Sequence, residues 1–386
     1  MTLTPTRLPA VPTAQDLLTV ASARVDPGSG TVVRQVAAPT PPPPSPRPRG
    51  GGAARRPAVL VTGSGGPAGV AVIRRLRALG HRVVAVDADP SAAGGALADV
   101  GVTVPRADHP SFVDALVAAA AEHDADALVP TVAEELVALR SAAHWLASAG
   151  LHTWLPDAAT VDICCDKDLF ARHMAAARVP HPAAAGSPAE LAVVPGPWVV
   201  KPRRGRGSRG VQLLDDAAAV RAAMLADPEL VAQTRLTGRE FTADALVSRD
   251  GELLTAVPRW REETKAGISV KGSTFASAEV TALVAATLAA VRLTGPANVQ
   301  GFVADDGTVT VMEVNPRFSG GLPLTLAAGA DVVGTYLQGI REPHARLPQL
   351  FFTPGVRMSR YFAETYSGPD GRPVGDPCAA PAAVRA

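Results

Sequence analysis

From residue 57 onward the chain alternates short apolar runs with amphipathic stretches, punctuated by glycine-bearing turns. Residues 58–62 read as a buried strand and 63–69 as a tight turn. Residues 70–79 read as a helix stopped by Gly80. A second strand over 82–86 closes at Asp87, and a helix at 111–123, a strand at 127–130 and a helix at 134–148 continue the alternation. Such βαβ repetition predicts a parallel sheet covered by helices. A helical linker follows over 158–177, ended by the breaks at Pro180 and Pro182. Strands are then predicted at 198–201, 240–247, 253–258, 298–304 and 308–314. The last alternates valines, and because side chains two apart share a strand face, Glu313 and Asn315 point the same way.

Residues 1–56 break this pattern. They end in a proline-rich and then glycine-rich run, expected to be a disordered spacer, with one short helix conceivable at 14–25. A flexible tail is expected over 366–386. The 386 residues, 47% hydrophobic, suffice for two or three packed domains. A formal net charge of +1 and an aromatic content of 4% argue against a nucleic-acid partner. No apolar run reaches the roughly 18 residues of a membrane span. Three cysteines, two of them the neighbours Cys164 and Cys165, offer no disulfide framework, and the N-terminus lacks a secretory pattern. A cytoplasmic protein is expected.

The glycine turn Gly63, Gly65 and Gly69, with Asp87 about twenty residues beyond, imitates a dinucleotide fingerprint. Ala68 stands at the third glycine position and Pro67 intrudes, and no hydride-transfer apparatus follows. A tight turn that lets the helix approach the sheet is therefore favoured over a nicotinamide site. Four later segments point to phosphate chemistry instead. Lys167 starts a helix, Lys201 ends a strand, and an Arg/Gly loop over 203–210 can close backbone N–H groups over phosphate oxygens. A stretch from Gln233 to Glu240 offers backbone for an adenine edge and a carboxylate for ribose hydroxyls. Glu313 and Asn315, with Arg317 two residues on, suit hard divalent ions and the phosphates they carry. Each part alone is also compatible with ordinary surface residues. Glu134 and Glu135 read as the first turn of a helix, or as a grip on an amine.

Taken together, Lys167, Lys201, the glycine-rich loop, Gln233 to Glu240, Gln300 and Glu313-Val-Asn315-Pro-Arg317 resemble an ATP-grasp ligase of the carbamoyl-phosphate synthetase large-subunit-like group, which includes carboxylate–amine ligases. The resemblance spans roughly residues 57–365. It implies an α/β architecture: a Rossmann-like parallel-sheet domain over 57–155, then a two-lobed α+β ATP-grasp body over 156–365, divided into a central lobe at about 178–235 and a C-terminal lobe at about 236–365. It further implies that Lys167 and Lys201 contact the phosphates of ATP while Gly205, Gly207, Ser208 and Gly210 close over them. Gln233, Arg235 and Leu236 would hold adenine and Glu240 the ribose. Gln300, Glu313 and Asn315 would surround Mg²⁺, with Mn²⁺ as an alternative. Arg317, Asn315 and Lys201 would serve the transferred phosphoryl group.

The implied reaction activates a small carboxylate as an acyl phosphate, which an amine then attacks, releasing ADP and phosphate. One departure matters. Ser269 stands where the true carbamoyl-phosphate synthetases carry a histidine, and there is one ATP-grasp unit rather than two. That disfavours the alternative of bicarbonate or carbamate activation. A nucleotide-binding regulatory module without ligation is the other alternative. Arg259, Lys265, Ser269 and Lys271 are candidates for gripping an acidic substrate. Their carrier is equally readable as a charged hairpin. Many relatives are dimers, so a homodimer is left open.

Overall fold

The computed structural model describes residues 57–205, 209–265, 267–369 and 373–375. The extension at 1–56 with its expected helix, the loop residues Gly207 and Ser208, and most of the expected tail lie outside the described residues.

The first domain runs β1 (Ala58–Val61), α1 (Pro67–Ala78), β2 (Val83–Asp87), α2 (Ala93–Leu97), β3 (Val100–Thr103), α3 (Phe112–Glu122), β4 (Ala125–Val129), α4 (Glu135–Ser141) and α5 (Ala143–Ser148). Its four strands pair in parallel in the order β3-β2-β1-β4. β1 is buried along its whole length and β2 up to Asp87, the expected state of a parallel sheet with helices on both faces. α1 begins at Pro67, three residues before the predicted start, because proline is well suited to the first helical turn. The helix predicted over 134–148 breaks at Ala142 into α4 and α5.

The linker forms α6 (Ala158–Cys165) and α7 (Lys167–Ala176). The sequence predicts a helical linker over 158–177 with Lys167 at the start of a helix. Asp166 divides it because its carboxylate accepts hydrogen bonds from the Asp168 and Leu169 amides at 3.0 and 3.1 Å, capping a new helix.

A small central lobe comprises β5 (Ala184–Ala185), β6 (Trp198–Pro202), β7 (Gln212–Leu214), α8 (Ala217–Ala226) and β8 (Leu230–Thr234), with an antiparallel sheet in the order β5-β8-β6-β7. Then follow β9 (Arg239–Val247), β10 (Leu253–Lys265), β11 (Ile268–Thr274), α9 (Ala278–Ala290), β12 (Gly295–Val303), β13 (Val309–Asn315), α10 (Leu322–Ala327), α11 (Val332–Arg341) and β14 (Arg357–Ser359). Six of these strands make one antiparallel sheet, β13-β12-β9-β10-β11-β14. α7 and α9 bury its back in a core that includes Phe170, Phe241, Val284, Val299, Val311 and Val314. β10 continues seven residues past its predicted end. Its outer half is charged and pairs with β11 as an exposed hairpin, so no apolar pattern betrays it.

The first domain and the C-terminal lobe share a core. Trp154 stacks on Tyr336 with centroids 5.4 Å apart, and Phe318 meets the same ring edge-on at 5.3 Å. Arg75 makes a two-pronged pair with Asp331 at 2.8 and 3.0 Å, and Arg341 reaches Asp126 at 2.7 Å. The C-terminal ends of β1 and β4 thereby face the large sheet. No helix among the described residues is long and apolar enough to cross a membrane.

At those strand ends Glu135 is buried, where the Thr62 hydroxyl donates to its carboxylate. Burial, with Asp87 and Glu134 nearby, raises its pKa to about 7 from 4.5. A carboxyl whose folded-state value is raised stabilises fully below about 4.5, and that contribution is lost as pH rises through about 7. Glu135→Gln, neutral throughout, should therefore gain stability relative to the wild type between pH 5 and pH 8. Thermal melts across that range provide the check, and parallel curves would contradict the assignment.

Candidate nucleotide and acceptor cavities

Two adjoining cavities of about 360 and 460 Å³ open between the central lobe, the large sheet and the first domain. A third, of about 260 Å³, lies behind β6 and β8.

The 360 Å³ cavity collects Lys167, Lys201, Gly205, Glu240, Gln300, Glu313, Asn315 and Arg317. Residues spread over 150 positions of sequence meet here because β12 pairs with both β9 and β13. Gln300 lies opposite Thr242 on one side and Glu313 on the other, and Asn298 opposes Asn315. β13 also carries a β-bulge. Gly301 pairs with Val311 while Gln300 pairs with Glu313, leaving Met312 as the extra residue. Strict alternation would have set Val311 and Glu313 on one face. The bulge lets Val311 and Val314 both enter the core while Met312 and Glu313 both line the cavity.

Polar side chains there form a chain of contacts. The Asn315 amide donates to Glu313 at 3.0 Å, and Arg317 donates to the Asn315 carbonyl oxygen at 3.1 Å and to the Phe318 carbonyl at 2.9 Å. Lys201 is buried, and burial pulls its pKa down to about 8. The Glu313 carboxylate works against that shift and the Lys167 ammonium adds to it. Lys167 donates to the Gly205 carbonyl at 3.1 Å and the Arg203 carbonyl at 3.4 Å. Arg203 in turn grips Asp166 at 3.0 Å, tying the start of α7 to the loop that follows β6. Gly205 and Gly210 have φ of +117° and +69°, which favour glycine. Glu240 accepts from Arg261 at 2.8 Å, and its pKa is raised, mainly by burial, with Arg261 opposing the shift.

The 260 Å³ cavity is mostly apolar. Its wall includes Gln233, Arg235 and Leu236 from the end of β8, with Val199, Phe302 and Met312. Gln233 is 3% exposed, and Arg235 pairs with Asp215 at 3.0 Å.

In the 460 Å³ cavity every charged lining residue is an arginine: Arg209, Arg259, Arg261 and Arg317. No carboxylate among the described residues lines it. Gly63, Gly66, Pro67 and Ala68 of the first domain form its far side, so the glycine turn faces this cavity. Of the four residues proposed to grip an acidic substrate, Arg259 and Ser269 reach it. Arg259 is almost fully buried and held by Asp244 at 2.6 Å and Ser319 at 3.1 Å. Asp244 also accepts from Asn298 and Thr325. Lys265 and Lys271 sit exposed on the β10–β11 hairpin, where Lys271 pairs with Glu263 at 2.7 Å.

Sequence reasoning passed over Arg261, Asp244 and Met312, and took Arg209 only as part of the Arg/Gly loop. Arg261 had a usable signal: it follows Arg259 by two on a strand, so both point to one face.

A divalent ion fits the donors available. Gln300, Glu313 and Asn315 can present one carboxylate and two carboxamide oxygens, the set preferred by hard ions such as Mg²⁺, although Gln300 Oε1 accepts from Arg261 and Asn315 Oδ1 from Arg317 in this structure. Among the described residues no group of three or more His, Cys, Asp or Glu forms a separate metal cluster.

Two family models match the chain: PylC-like, N-terminal domain, over residues 59–153, and ATP-grasp in the biosynthetic pathway with Ter operon, over residues 226–358. A comparison with curated proteins gives no significant match. Among solved structures, a biotin carboxylase from Campylobacter jejuni in complex with β-γ-ATP aligns with a TM-score of 0.62 and 15% identity, covering 77% of this chain and 74% of that one. N5-carboxyaminoimidazole synthetase from Staphylococcus aureus complexed with ADP gives 0.62 at 14% identity, covering 77% and 80%. The L-amino acid ligase from Bacillus licheniformis gives 0.58 at 19% identity, covering 75% of each.

Proposed function

We propose that this chain, which has the ATP-grasp fold preceded by a PylC-like N-terminal domain, is an ADP-forming ligase that joins a small carboxylate to an amine. One observation carries the reading. The 360 and 460 Å³ cavities share a wall made by Arg209, Arg261, Gly267, Gln300 and Arg317. Nucleotide phosphates on one side and an anionic substrate on the other would meet at that wall. The printed names of the structural neighbours include ATP- and ADP-bound enzymes and an amino acid ligase, which is consistent with it.

In this reading adenine occupies the apolar cavity beside Gln233, Arg235 and Leu236, and Glu240 accepts from the ribose hydroxyls. Lys167 and Lys201 hold the phosphates, with the loop from Gly205 to Gly210 covering them. Gln300, Glu313 and Asn315 would hold Mg²⁺, which supplies positive charge against the phosphoryl oxygens. A substrate carboxylate oxygen forms a bond to the γ-phosphorus as the bond to the β–γ bridging oxygen breaks, releasing ADP. Arg317, fixed by Asn315 and the Phe318 carbonyl, stabilises charge on the transferring group. The amine nitrogen then bonds to the acyl carbon, phosphate leaves, and the nitrogen loses a proton. No side-chain nucleophile is needed. Loop closure would exclude the water that hydrolyses acyl phosphates.

The test incubates the protein with Mg²⁺, ATP, hydroxylamine and pools of carboxylates, reading hydroxamate and ADP together. Hydroxamate with stoichiometric ADP is the expected result. ADP formed only with bicarbonate would replace this reading with carbamoyl chemistry. ATP binding with neither product across the pools would favour a regulatory module.

A further inference from the structure

Arg261 stands in the wall between the two cavities and lines both. One terminal nitrogen donates to Glu240 at 2.8 Å and to Gln300 Oε1 at 3.2 Å, and the other donates to the Gly267 carbonyl at 3.1 Å. Its side chain is 12% exposed, and its Nε is buried without a hydrogen-bond partner. The guanidinium thus occupies the two oxygen-bearing groups that the proposed ligase assigns to ribose and to the metal ion. A dication taking the Gln300 carbonyl oxygen would share that one atom with a guanidinium. Like charges that close repel strongly in a half-buried site. The ribose would compete for the Glu240 carboxylate in the same way.

We infer that Arg261 is a positioning residue exchanged between the two cavities. Without nucleotide it satisfies Glu240 and Gln300. When the metal-bound nucleotide takes those groups, the guanidinium turns into the arginine-lined cavity and holds the carboxylate that is to be phosphorylated. Only the Nε donor lacks a partner where the side chain lies; both terminal nitrogens are held, by Glu240, Gln300 and the Gly267 carbonyl. Leaving that place breaks a partly buried charge pair, and the contacts that metal and ribose then make to Gln300 and Glu240 must offset it. Nucleotide would accordingly bind first and prepare the anion site, an order of addition set by one side chain. The inference rests on the ligase reading.

Its test separates binding from turnover. Calorimetry measures ADP affinity with and without Mg²⁺ for the wild type, Arg261→Ala and Arg261→Lys, with thermal melts confirming that each variant is folded. Removing the competitor should tighten Mg²⁺·ADP binding about fivefold in Arg261→Ala, while hydroxamate formation falls at least about tenfold. Arg261→Lys keeps the charge but cannot span Glu240, Gln300 and Gly267 together, so it should fall between. A merely structural role would weaken both quantities. A folded Arg261→Ala that binds Mg²⁺·ADP no tighter than the wild type overturns the inference and leaves the ligase reading intact. A wild type that binds no Mg²⁺·ADP removes both.

Discussion

Glu313→Ala is expected to cut ADP release in the presence of the activated carboxylate by about 10²- to 10³-fold, the scale of losing one preorganised electrostatic contact at a transferring group. Among the three proposed metal ligands Glu313 is the only one with a formal charge, since Gln300 and Asn315 are carboxamides. It also supplies the counter-charge of the buried Lys201 ammonium and receives the Asn315 amide at 3.0 Å. Removing it takes away metal affinity, a reason for Lys201 to stay protonated and the hydrogen bond that orients Asn315. Glu313→Gln separates these losses: shape and an acceptor for Asn315 remain, the charge does not, and turnover should fall nearly as far. Both variants should fold, because the side chain faces the cavity and not the core. Turnover within about tenfold of the wild type in either variant would contradict the metal assignment.

Lys201→Met should weaken ADP binding by about 10- to 100-fold and abolish a proton uptake expected of the wild type. A charge-assisted hydrogen bond to phosphate contributes about 1.5–3 kcal/mol. With its pKa pulled to about 8 by burial, Lys201 is half neutral at pH 8 in the free protein. Bound phosphate favours the ammonium, so ADP binding at pH 8 should take up about half a proton. Calorimetry in buffers of different ionisation enthalpy reads that uptake directly. The stability consequence has the opposite slope to that of Glu135. The folded-state pKa lies below the unfolded value of 10.5, so the unfolded chain binds more protons between about 8 and 10.5. This group's contribution therefore makes the wild type more stable as pH rises through that window, and Lys201→Met lacks the slope. An uptake unchanged in the variant would assign the proton to another group.

Much of this arrangement was legible in the sequence. The βαβ rhythm of the first domain depends on local apolar periodicity, so it could be read directly. The residues proposed to hold phosphate stood out by type: two lysines, a Gly/Arg loop and an acid-amide pair. Elements held by tertiary pairing escaped. The outer half of β10 is mostly charged or polar, and from Arg261 on its pairing is with β11. The helix start at Lys167 could be read from the sequence, but not that the Asp166 side chain caps this helix while holding Arg203 from another segment. Arg259 lines the 460 Å³ cavity, as a candidate substrate contact should, but its partner Asp244 lies on the neighbouring strand, fifteen residues earlier. The pairing that buries it could not be read from either residue alone.

The bulge at Met312 has an evolutionary consequence. In a regular antiparallel sheet, inserting or deleting one residue turns every following side chain to the opposite face. β13 already carries one residue more than its partner at this point, and the partner pairs resume on both sides of it. Loss of Met312 would leave Val311, Glu313, Val314 and Asn315 in ordinary alternation, with Glu313 still opposite Gln300. The same loss would take a side chain from the walls of both the 360 and the 260 Å³ cavities, where the proposed ligase places phosphates and adenine. One codon can thus reshape the 260 Å³ cavity while the acid-amide pair keeps its place, so under the proposed function base preference and phosphoryl chemistry would be free to diverge along separate lines of descent.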